Sequence, residues 1–384
     1  MNKLLIFCTV ALTAFLQSCV SGVEISVTNP SAFERSEMVE LTADSLMKLP
    51  AGKAFIVKNS QGEKIPSQLT YNGKLIFQTE LKPGESKNYK IFADDPETYP
   101  AKTYGRFIKE RKEDFAWEND RVAFRIYGHE LIQTDGPSNG IDLWYKRTSD
   151  LIIDKWYNAE LENGISYHED HGEGMDAYSV GRSLGGGAMA PYINDSLILN
   201  ENYVRHEVLE NGPLRTTFRL YYNDLVIDSV PVSETRTISL DAGSQFTKIT
   251  QEYGVDKVIT VAAGIVKHPG SPDALAARTE SGVAAIVCEE PVTPATGMVY
   301  VGLVFPSGIE KDITKSYTIF HPKKKVWETH SHVLGVTTYQ PGRPITYYAG
   351  FGWEKWGFPT LTDFQTYIGY FSKALEEPLI IKKL

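Results

Sequence analysis

The stretch RHEVLENGPLRTTFRLYYNDL, residues 205–225, shows the pattern that most of the chain follows. Apolar residues alternate or run on over strand lengths, and a Gly-Pro pair interrupts them. Similar long segments lie on both sides of it, including RVAFRIYG, VSETRTISLDAG, FTKITQEYG, VITVAAGIVKH, MVYVGLVFP and PITYYAGFGWE. Long strands separated by Gly or Pro predict an all-β chain built around a large antiparallel two-sheet sandwich.

Shorter strand-like runs occupy the N-terminal part of the chain, and turn residues separate them: VEISVTN, KAFIVKN, KLIFQTEL and KNYKIFA. They predict a small antiparallel β-sandwich over residues 19–95. The segment DDPETYPAKTY has two prolines and few core residues. We therefore expect a linker at residues 96–105 and a large sandwich domain over residues 106–384.

Helical spacing occurs near the end of the chain, in TLTDFQTYIGYFSKALEEP, residues 360–378. Its apolar residues fall three or four positions apart: Phe364, Tyr367, Ile368, Phe371 and Leu375. Thr360 or Thr362 can cap this segment, and Pro378 can end it. The pattern predicts one C-terminal helix.

The N-terminus has the features of an export signal. Lys3 precedes LLIFCTVALTAFL, an apolar run of 13 residues that is too short to span a bilayer and suits a signal peptide. Leu16-Gln17-Ser18-Cys19 resembles a lipoprotein box, which predicts removal of residues 1–18 and a lipid on Cys19. The alternative is an ordinary secretory signal.

The segment after Cys19, VSGVE, lacks a run of acidic residues. In some bacteria, an acidic run at this position of a lipoprotein resembles a signal for export to the cell surface. We therefore expect a periplasmic protein that is lipid-anchored to the inner leaflet of the outer membrane, with no other membrane contact.

Composition narrows the function further. The net charge of −9 argues against nucleic-acid binding, which needs basic surfaces. Cys288 lies in an apolar strand-like run, which predicts a buried, inert thiol. Aromatic residues make up 11% of the chain, and such side chains serve both sugar stacking and strand-rich cores.

The stretch YHEDHGEGMDAYSVGRSLGGGAMAPY, residues 167–192, gathers many titratable groups where glycines favour a loop. We interpret His168, Asp170, His171 and Glu173 as catalytic candidates and Asp176 as a substrate-binding candidate. One alternative is a solvated loop whose acids cap turns. The spacing H-x-D-H-x-E fits no standard metal motif, so no cofactor is expected and calcium or zinc is a minor alternative.

Further candidates lie elsewhere in the sequence. Tyr348 is a candidate base in YYAGFGWEKWGF, and the two tryptophans of that run predict either a sugar platform or an aromatic plug. His330 and His332 alternate along one strand and so share a face. The substrate-binding candidates outside the loop are Lys267, His268, His330, His332, Trp353, Lys355 and Trp356. Arg215 and Arg236 lie within apolar strands, where structural ion pairs are favoured.

Several segments occur in an order that carries a resemblance: WENDRVAFRIYGHEL, IDLWYKRTSDLIIDKWY, YHEDHGEGMDAYSVGRSLGGG, NGPLRTTFRLYY and YYAGFGWEKWGF. Together with the opening VTNPSAFERSEMVEL, they resemble the secreted bacterial family called domain of unknown function 4861. The resemblance implies a galactose-mutarotase-like β-sandwich. It also implies a gene setting among polysaccharide-degradation genes, often beside lyases and unsaturated-uronide enzymes. It supplies no catalytic residue.

The sequence therefore predicts a carbohydrate-active protein acting on uronic-acid-containing oligosaccharides or polysaccharides, by β-elimination or hydrolysis. One alternative is non-catalytic glycan binding, and another is a mutarotase or epimerase, which rests on fold analogy. Catalysis needs groups from separate segments to converge. We therefore expect residues 167–187, His330, His332 and the Trp353 loop to lie over one concave face.

Overall fold

The computed structural model describes residues 22–321 and 323–384, so the predicted signal peptide and Cys19 lie outside the described residues. The predicted fold class is confirmed: a small N-terminal β-sandwich precedes a large antiparallel supersandwich that carries one C-terminal helix. Within the described ranges, no helix is both long and apolar enough to cross a membrane.

The small sandwich begins with seven strands: β1 Val23–Thr28, β2 Arg35–Thr42, β3 Ala54–Lys58, β4 Lys64–Ile65, β5 Ser67–Leu69, β6 Lys74–Leu81 and β7 Ser86–Asp94. One sheet contains β1, β7, β3 and β4 in that order, and the other contains β2, β6 and β5. Apolar side chains that alternate along these strands fill the space between the two sheets, including Val27, Phe55, Phe77 and Ile91.

The next five strands form a separate sheet in sequence order: β8 Thr103–Ile108, β9 Asp114–Asn119, β10 Ala123–Ile126, β11 Asp142–Lys146 and β12 Gly174–Asp176. Two helices interrupt them, the short α1 (Ile132–Asp135) and α2 (Ile153–Asn163). The sequence pattern did not predict α2. Its first backbone amides donate to the buried carboxylate of Glu118, which also binds Lys146 at 2.7 Å.

The large domain continues with fifteen strands: β13 Gly186–Ile193, β14 Ser196–Leu197, β15 Arg205–Asn211, β16 Arg215–Tyr221, β17 Leu225–Ile227, β18 Val230–Val232, β19 Glu234–Asp241, β20 Phe246–Tyr253, β21 Ile259–Lys267, β22 Leu275–Arg278, β23 Ala284–Glu289, β24 Val299–Phe305, β25 Lys311–His321, β26 Val326–Tyr339 and β27 Ile345–Trp353. Eight of them form one sheet in the order β15-β16-β19-β20-β27-β24-β23-β22, and five form another in the order β14-β13-β21-β26-β25. The strands β17 and β18 pair only with each other.

The main core lies between the eight-stranded sheet and the two five-stranded sheets. Buried side chains from all three contribute, such as Phe218, Leu334 and Phe124. The predicted inert thiol Cys288 is fully buried there, and burial raises its pKa to about 12. A continuous core of this size supplies the rigid scaffold on which surface residues are placed.

The predicted C-terminal helix is present as α3, Leu361–Glu376. Thr360 caps it, accepting from the Asp363 amide while the Asp363 side chain accepts from the Thr360 amide. Its apolar side packs on the outer face of the eight-stranded sheet, where Gly302 leaves room for Phe364 and Ile368. After the helix, β28 (Ile380–Lys383) returns to the small sandwich and pairs with β1.

Candidate functional site

The two predicted catalytic histidines of the loop contact backbone carbonyls. His168 places Nδ1 2.9 Å from the carbonyl oxygen of Asp176. His171 places Nε2 3.0 Å from the carbonyl oxygen of Ser166. Both side chains lie on the exposed outside of the loop. These contacts fix the loop to itself and to the end of β12.

The two predicted catalytic acids of the loop are tied to nearby cations. Asp170 accepts from the Gly172 amide at 2.9 Å and pairs with Arg147 at 3.1 Å. Glu173 pairs with Lys155 of α2 at 2.7 Å. This arrangement is the turn-capping alternative of the sequence analysis, because each carboxylate already has its partners.

Asp176 belongs to a buried charge cluster beneath the loop, which we call the Arg125 cluster: Arg125, Asp114, Asp142 and Asp176. Arg125 donates to Asp142 at 2.5 Å and to Asp176 at 2.6 Å, and it lies 3.8 Å from Asp114. The side chain of Asp176, predicted to bind substrate, is only 2% exposed and faces Arg125.

Burial dominates the ionisation of the Arg125 cluster. It raises the pKa of Asp114 to about 6 and the pKa of Asp176 to about 8, although Arg125 opposes both shifts. Three carboxylates share one guanidinium, so the cluster favours holding a proton rather than carrying three negative charges. Arg125 and its three carboxyl partners are buried together, and within this cluster only Asp114 Oδ1 lacks a hydrogen-bond partner.

The predicted histidines of β21 and β26 separate into different environments. His268 places Nδ1 2.6 Å from Glu290 and Nε2 2.7 Å from the Ser179 carbonyl. Burial lowers the pKa of His268, but Glu290 outweighs burial and the net pKa is raised. With acceptors at both ring nitrogens, the imidazolium fastens the loop to the sandwich. Beside it in sequence, Lys267 pairs with Asp273 at 2.9 Å.

His330 and His332 share a strand face as predicted, but only one is near solvent. His332 is fully buried and accepts from the Leu184 amide at 3.1 Å, and burial lowers its pKa to about 3. The ring of His332 therefore faces the interior and the Leu184 backbone rather than solvent. His330 is half-buried, and burial lowers its pKa while Glu328, 3.5 Å away, opposes that shift.

Trp353, at the end of β27, is an aromatic plug in the interior. Trp353 is 1% exposed, donates to the Thr296 carbonyl at 2.6 Å and packs on Tyr145. Lys355 lies over the Trp353 ring and donates to the Ala295 carbonyl. For Trp353 these contacts match the plug alternative, because its ring is buried.

The expected convergence holds only in part. Leu184 contacts His332, and Gly181 lies against His330. His168 and Trp353, however, lie on opposite sides of β11. Tyr167 and its neighbour His168 pack on the Trp144 side of β11. Trp353 packs against Tyr145, the next residue of β11, whose side chain points to the opposite face. One sheet therefore separates the two predicted clusters.

A large cleft lies instead between the small sandwich and the outer face of the eight-stranded sheet, with a volume of about 1670 Å³. Helix α3 covers one part of that face, and the cleft exposes another. The sheet contributes a row of hydroxyl groups to it from Thr217, Thr237, Ser239 and Thr250. Neighbouring strands align these groups, as shown by the 2.9 Å contact between Thr217 and Ser239.

Contacts at both ends hold the two sandwiches apart at a fixed spacing. At one end, the buried Gln68 accepts from the amides of Leu214 and Arg215 at 3.0 and 2.9 Å. At the other end, Arg35 donates to the Glu377 carbonyl at 2.6 Å, and Phe33 stacks on Tyr370 with ring centroids 4.4 Å apart. The cleft is therefore pre-formed between two anchored ends.

Lys248 and Tyr348 lie directly opposite each other on β20 and β27, and both line the cleft. Tyr348 is thus the one predicted catalytic residue that the cleft contains, and Trp356 is the predicted binding residue on its wall. Among the described residues, the Lys248 ammonium has neither a hydrogen-bond acceptor nor a salt-bridge partner. A lysine left without a partner in a cleft is available to a ligand.

Charged groups from both sandwiches surround Lys248. Arg215 bonds Asp241 of the same sheet and reaches Glu40 of the small sandwich at 2.6 Å. Lys74 binds the same Glu40 carboxylate at 2.5 Å. The predicted pairing of Arg215 is confirmed by these contacts. With three cations and two carboxylates, this part of the cleft carries one excess positive charge.

These neighbours shift the proton affinities in the cleft. The side chain of Lys248 is open to solvent, but the cleft walls remove part of its surrounding water. This desolvation lowers the pKa of Lys248, and the positive charges of Arg215 and Lys74 lower it further. Burial raises the pKa of Tyr348 to about 12, with Asp241 and Glu40 adding to the rise. Burial would raise the pKa of Glu40, but Arg215 and Lys74 outweigh it and lower that pKa to about 2.

An aromatic wall completes the cleft, formed by Trp356, Phe358, Tyr367 and Tyr370 beside Tyr348. Lys248 and the hydroxyl row escaped sequence analysis because each residue sits singly in an ordinary alternating strand. The available signal was a polar residue at every second position of β16, β19 and β20. Nothing in the sequence showed that the small sandwich would face them.

Among residues 22–321 and 323–384, no group of three or more His, Cys, Asp or Glu side chains is arranged to hold a metal ion.

Comparison with solved structures shows two similar chains from Enterococcus faecalis. A protein in the glycosyl hydrolase family 38 aligns with a TM-score of 0.47 and 8% identity, covering 94% of this chain and 47% of that one. An alpha-mannosidase from strain V583 aligns with a TM-score of 0.46 and 8% identity, covering 94% of this chain and 46% of that one. The present chain thus spans about half the length of these structures.

Comparison of sequences shows a curated relative from Formosa agariphila, "Uncharacterized protein P7", that is 31% identical over 316 residues. The match covers 79% of this chain and 76% of the relative. Residues 27–381 match the family described as "Domain of unknown function (DUF4861)". The resemblance noted in the sequence is therefore confirmed, and the chain belongs to the DUF4861 family.

Proposed function

We propose that the cleft binds an oligosaccharide containing uronic acid, and that Lys248 and Tyr348 cleave it by β-elimination. The observation that carries this proposal is the unpartnered ammonium of Lys248, a residue whose cross-strand partner on the same cleft-lining sheet is Tyr348. Both groups have shifted pKa values, and such shifts are typical of groups that transfer protons.

The walls of the cleft suit a sugar chain. Aligned hydroxyls offer donors and acceptors to sugar hydroxyls, while the aromatic wall offers apolar faces to sugar rings. The cations Arg215 and Lys74 lie beside Lys248, and their charge favours a ligand whose carboxylate lies close to the proposed base. The cleft volume of about 1670 Å³ exceeds the usual small-molecule pocket and accommodates several sugar units.

Each of the two groups has a defined part in the proposed step. A lowered pKa increases the fraction of Lys248 that is a neutral amine, and this amine takes the proton from the ring carbon beside the carboxylate. The electron pair of that C–H bond forms a carbon–carbon double bond as the glycosidic C–O bond breaks. Tyr348, protonated at neutral pH, donates its proton to the departing oxygen. The products are an unsaturated uronide and a new reducing end or alcohol.

β-Elimination suits this cleft better than hydrolysis. Glycoside hydrolysis generally uses two carboxyl groups, one of which must hold a proton. Glu40 is held ionised by Arg215 and Lys74, which lower its pKa to about 2. Burial raises the pKa of Glu37, but its oxygens already accept three hydrogen bonds from Arg35.

The cellular setting belongs to the same proposal. A lipid on Cys19 would keep the enzyme at the inner leaflet of the outer membrane, where imported oligosaccharides pass. Labelled palmitate should appear on the wild-type protein and be lost in Cys19→Ser. Equal labelling of both proteins would remove the anchor from the proposal.

The experiment incubates the protein with a panel of uronic-acid polysaccharides and their oligosaccharides. Growth of the ultraviolet band of an unsaturated product is expected, and Lys248→Met should abolish it. Reducing ends without the band would indicate hydrolysis. Calorimetric binding without either signal would indicate the non-catalytic alternative, and anomer or epimer exchange alone would indicate a mutarotase or epimerase. Each of these results contradicts β-elimination.

A further inference from the structure

The hairpin of β25 and β26 extends beyond its sheet. These strands pair along their full shared length, from Lys311 opposite Val336 to His321 opposite Val326. The neighbouring strand β21 pairs with β26 only as far as Ser331. Residues 326–330 therefore project past β21, by roughly 16 Å at the usual rise of a strand.

Large apolar side chains are exposed at the end of this projection. Trp327 is 69% exposed, Val326 is 45% exposed and Phe320 is 43% exposed. Phe320 and Trp327 are direct cross-strand partners with ring centroids 5.4 Å apart. Val326 and Trp327 are consecutive in a strand, so their side chains point to opposite faces. The Val326 face is largely covered, since His321, the cross-strand partner of Val326, is buried and lies against Gly136. The exposed aromatic surface is therefore on the face that carries Phe320 and Trp327.

Three consecutive lysines lie beside these side chains. Lys323, Lys324 and Lys325 are all exposed. Lys324 pairs with Glu328 at 2.9 Å. The ammonium groups of Lys323 and Lys325 have no hydrogen-bond or salt-bridge partner among the described residues. This end of the hairpin is cationic, whereas the net charge of the whole chain is −9. An anionic partner is therefore attracted to the hairpin end.

We propose that this hairpin end docks on a lipid bilayer with anionic headgroups. Trp327 and Phe320 enter the headgroup region, where aromatic side chains are favoured, and the lysines contact the lipid phosphates. The surface does not include the cleft, so the inference is independent of the proposed enzymatic function. It adds a second membrane contact to the one predicted at Cys19.

The same end is poorly shaped for an acidic glycan. The rings of Phe320 and Trp327 are inclined at 59° to each other, so they do not form the flat platform on which sugar rings stack. The apolar groups also lie at the tip and on one exposed face of a hairpin rather than along a groove. A bilayer interface accepts such a wedge, because burial of apolar area there requires no coplanar rings.

The test measures binding of the full-length chain to vesicles of neutral phosphatidylcholine, with and without phosphatidylglycerol. All variants are compared in the Cys19→Ser background, so that the N-terminal apolar run contributes equally to each. Binding should increase with phosphatidylglycerol content and fall by about fivefold per lysine in Lys323→Gln/Lys325→Gln. The matched control Lys82→Gln/Lys109→Gln removes the same charge from exposed positions elsewhere and should leave binding unchanged.

A second readout locates the contact. Bilayers with brominated acyl chains should quench tryptophan emission in the parent chain, and Trp327→Ser should remove most of that quenching. Equal quenching in both proteins, or equal loss of binding in the tip and control lysine variants, would overturn the proposal. Binding of soluble alginate that is lost in the tip variants, with no binding to anionic vesicles, would also overturn it and assign the surface to an acidic glycan.

Discussion

The Arg125 cluster and the Lys248 region of the cleft both concentrate charged groups, but they differ in where the partners come from. In the Arg125 cluster the opposite charges are buried together within 2.5–3.8 Å. In the cleft, Lys248 is left without a partner while its neighbours pair with one another. A dense set of titratable residues thus indicates a ligand site only where an unpartnered group is also open to solvent, as Lys248 is and Asp114 is not.

The largest effect should come from removing the cation of the Arg125 cluster. Arg125→Met leaves three buried carboxyl groups without their common partner, which should cost about 3–5 kcal/mol of unfolding free energy. Denaturant unfolding measures the loss, and the exposed Arg343→Met serves as the matched control. If Arg125→Met does not fold, Arg125→Lys can be measured instead and should also be clearly destabilised. Stability equal to wild type in Arg125→Lys would contradict the structural role of the cluster.

Substitution of Lys248 in the cleft should change the activity of the protein rather than its stability. Lys248→Met removes the proposed base and should lower the elimination rate by about 10²–10⁴. The melting temperature should barely change, because Lys248 makes no ion pair that the fold depends on. Lys109→Met, an exposed lysine outside the cleft, should retain full activity. A rate loss below about threefold in Lys248→Met would remove Lys248 from the mechanism.

The difference between the two regions also shows which structural features can be predicted from the sequence. Alternation and turn residues predicted the strands, and the spacing of Phe364, Ile368 and Phe371 predicted α3 within one residue of its start. These strands and this helix could be predicted because their patterns involve residues that are close together in the sequence. Helix α2 was missed because it has only 11 residues and its N-terminus is capped by Glu118 from a distant strand.

The candidate site was predicted only in part, for the same reason. Tyr348 and Trp356 were named, because they lie in a conspicuous aromatic run. Lys248 and Arg215 become neighbours of Glu40 and Lys74 only when the small sandwich docks on the large sheet. Conversely, residues 167–176 attracted attention through composition, but their partners are supplied by Arg147, Lys155 and backbone carbonyls.

The pH dependence of stability should have opposite signs in the two regions. The pKa of Asp114 is raised from 3.8 to about 6. The folded state therefore binds more protons, and this stabilising contribution is present below pH 4 and is lost as the pH rises to 6. The pKa of Glu40 is lowered from 4.5 to about 2. Its contribution to the free energy of unfolding is therefore present above pH 4.5 and is lost as the pH falls from 4.5 to about 2.

Denaturant unfolding at a series of pH values can separate the two contributions. Relative to wild type, Asp114→Asn should remove a decline in unfolding free energy between pH 4 and 6. Glu40→Gln should remove a rise in unfolding free energy between pH 2 and 4.5. Unchanged pH profiles in both variants would show that these carboxyl groups do not differ between folded and unfolded states, and the proposed contrast would fail.

The smallest effect should come from His168, the residue that the sequence placed first among catalytic candidates. Its side chain is 52% exposed, and its Nδ1 lies 2.9 Å from the Asp176 carbonyl oxygen and 3.4 Å from the Asp176 carboxylate. His168→Ala should therefore change the unfolding free energy by no more than about 1 kcal/mol. The elimination rate should stay at the wild-type level, because the β11 sheet and the main core separate His168 from Lys248. Turnover of the same substrate by wild type, His168→Ala and Lys248→Met compares the two regions directly. A hundredfold loss in His168→Ala with an active Lys248→Met would move the catalytic site from the cleft to the loop.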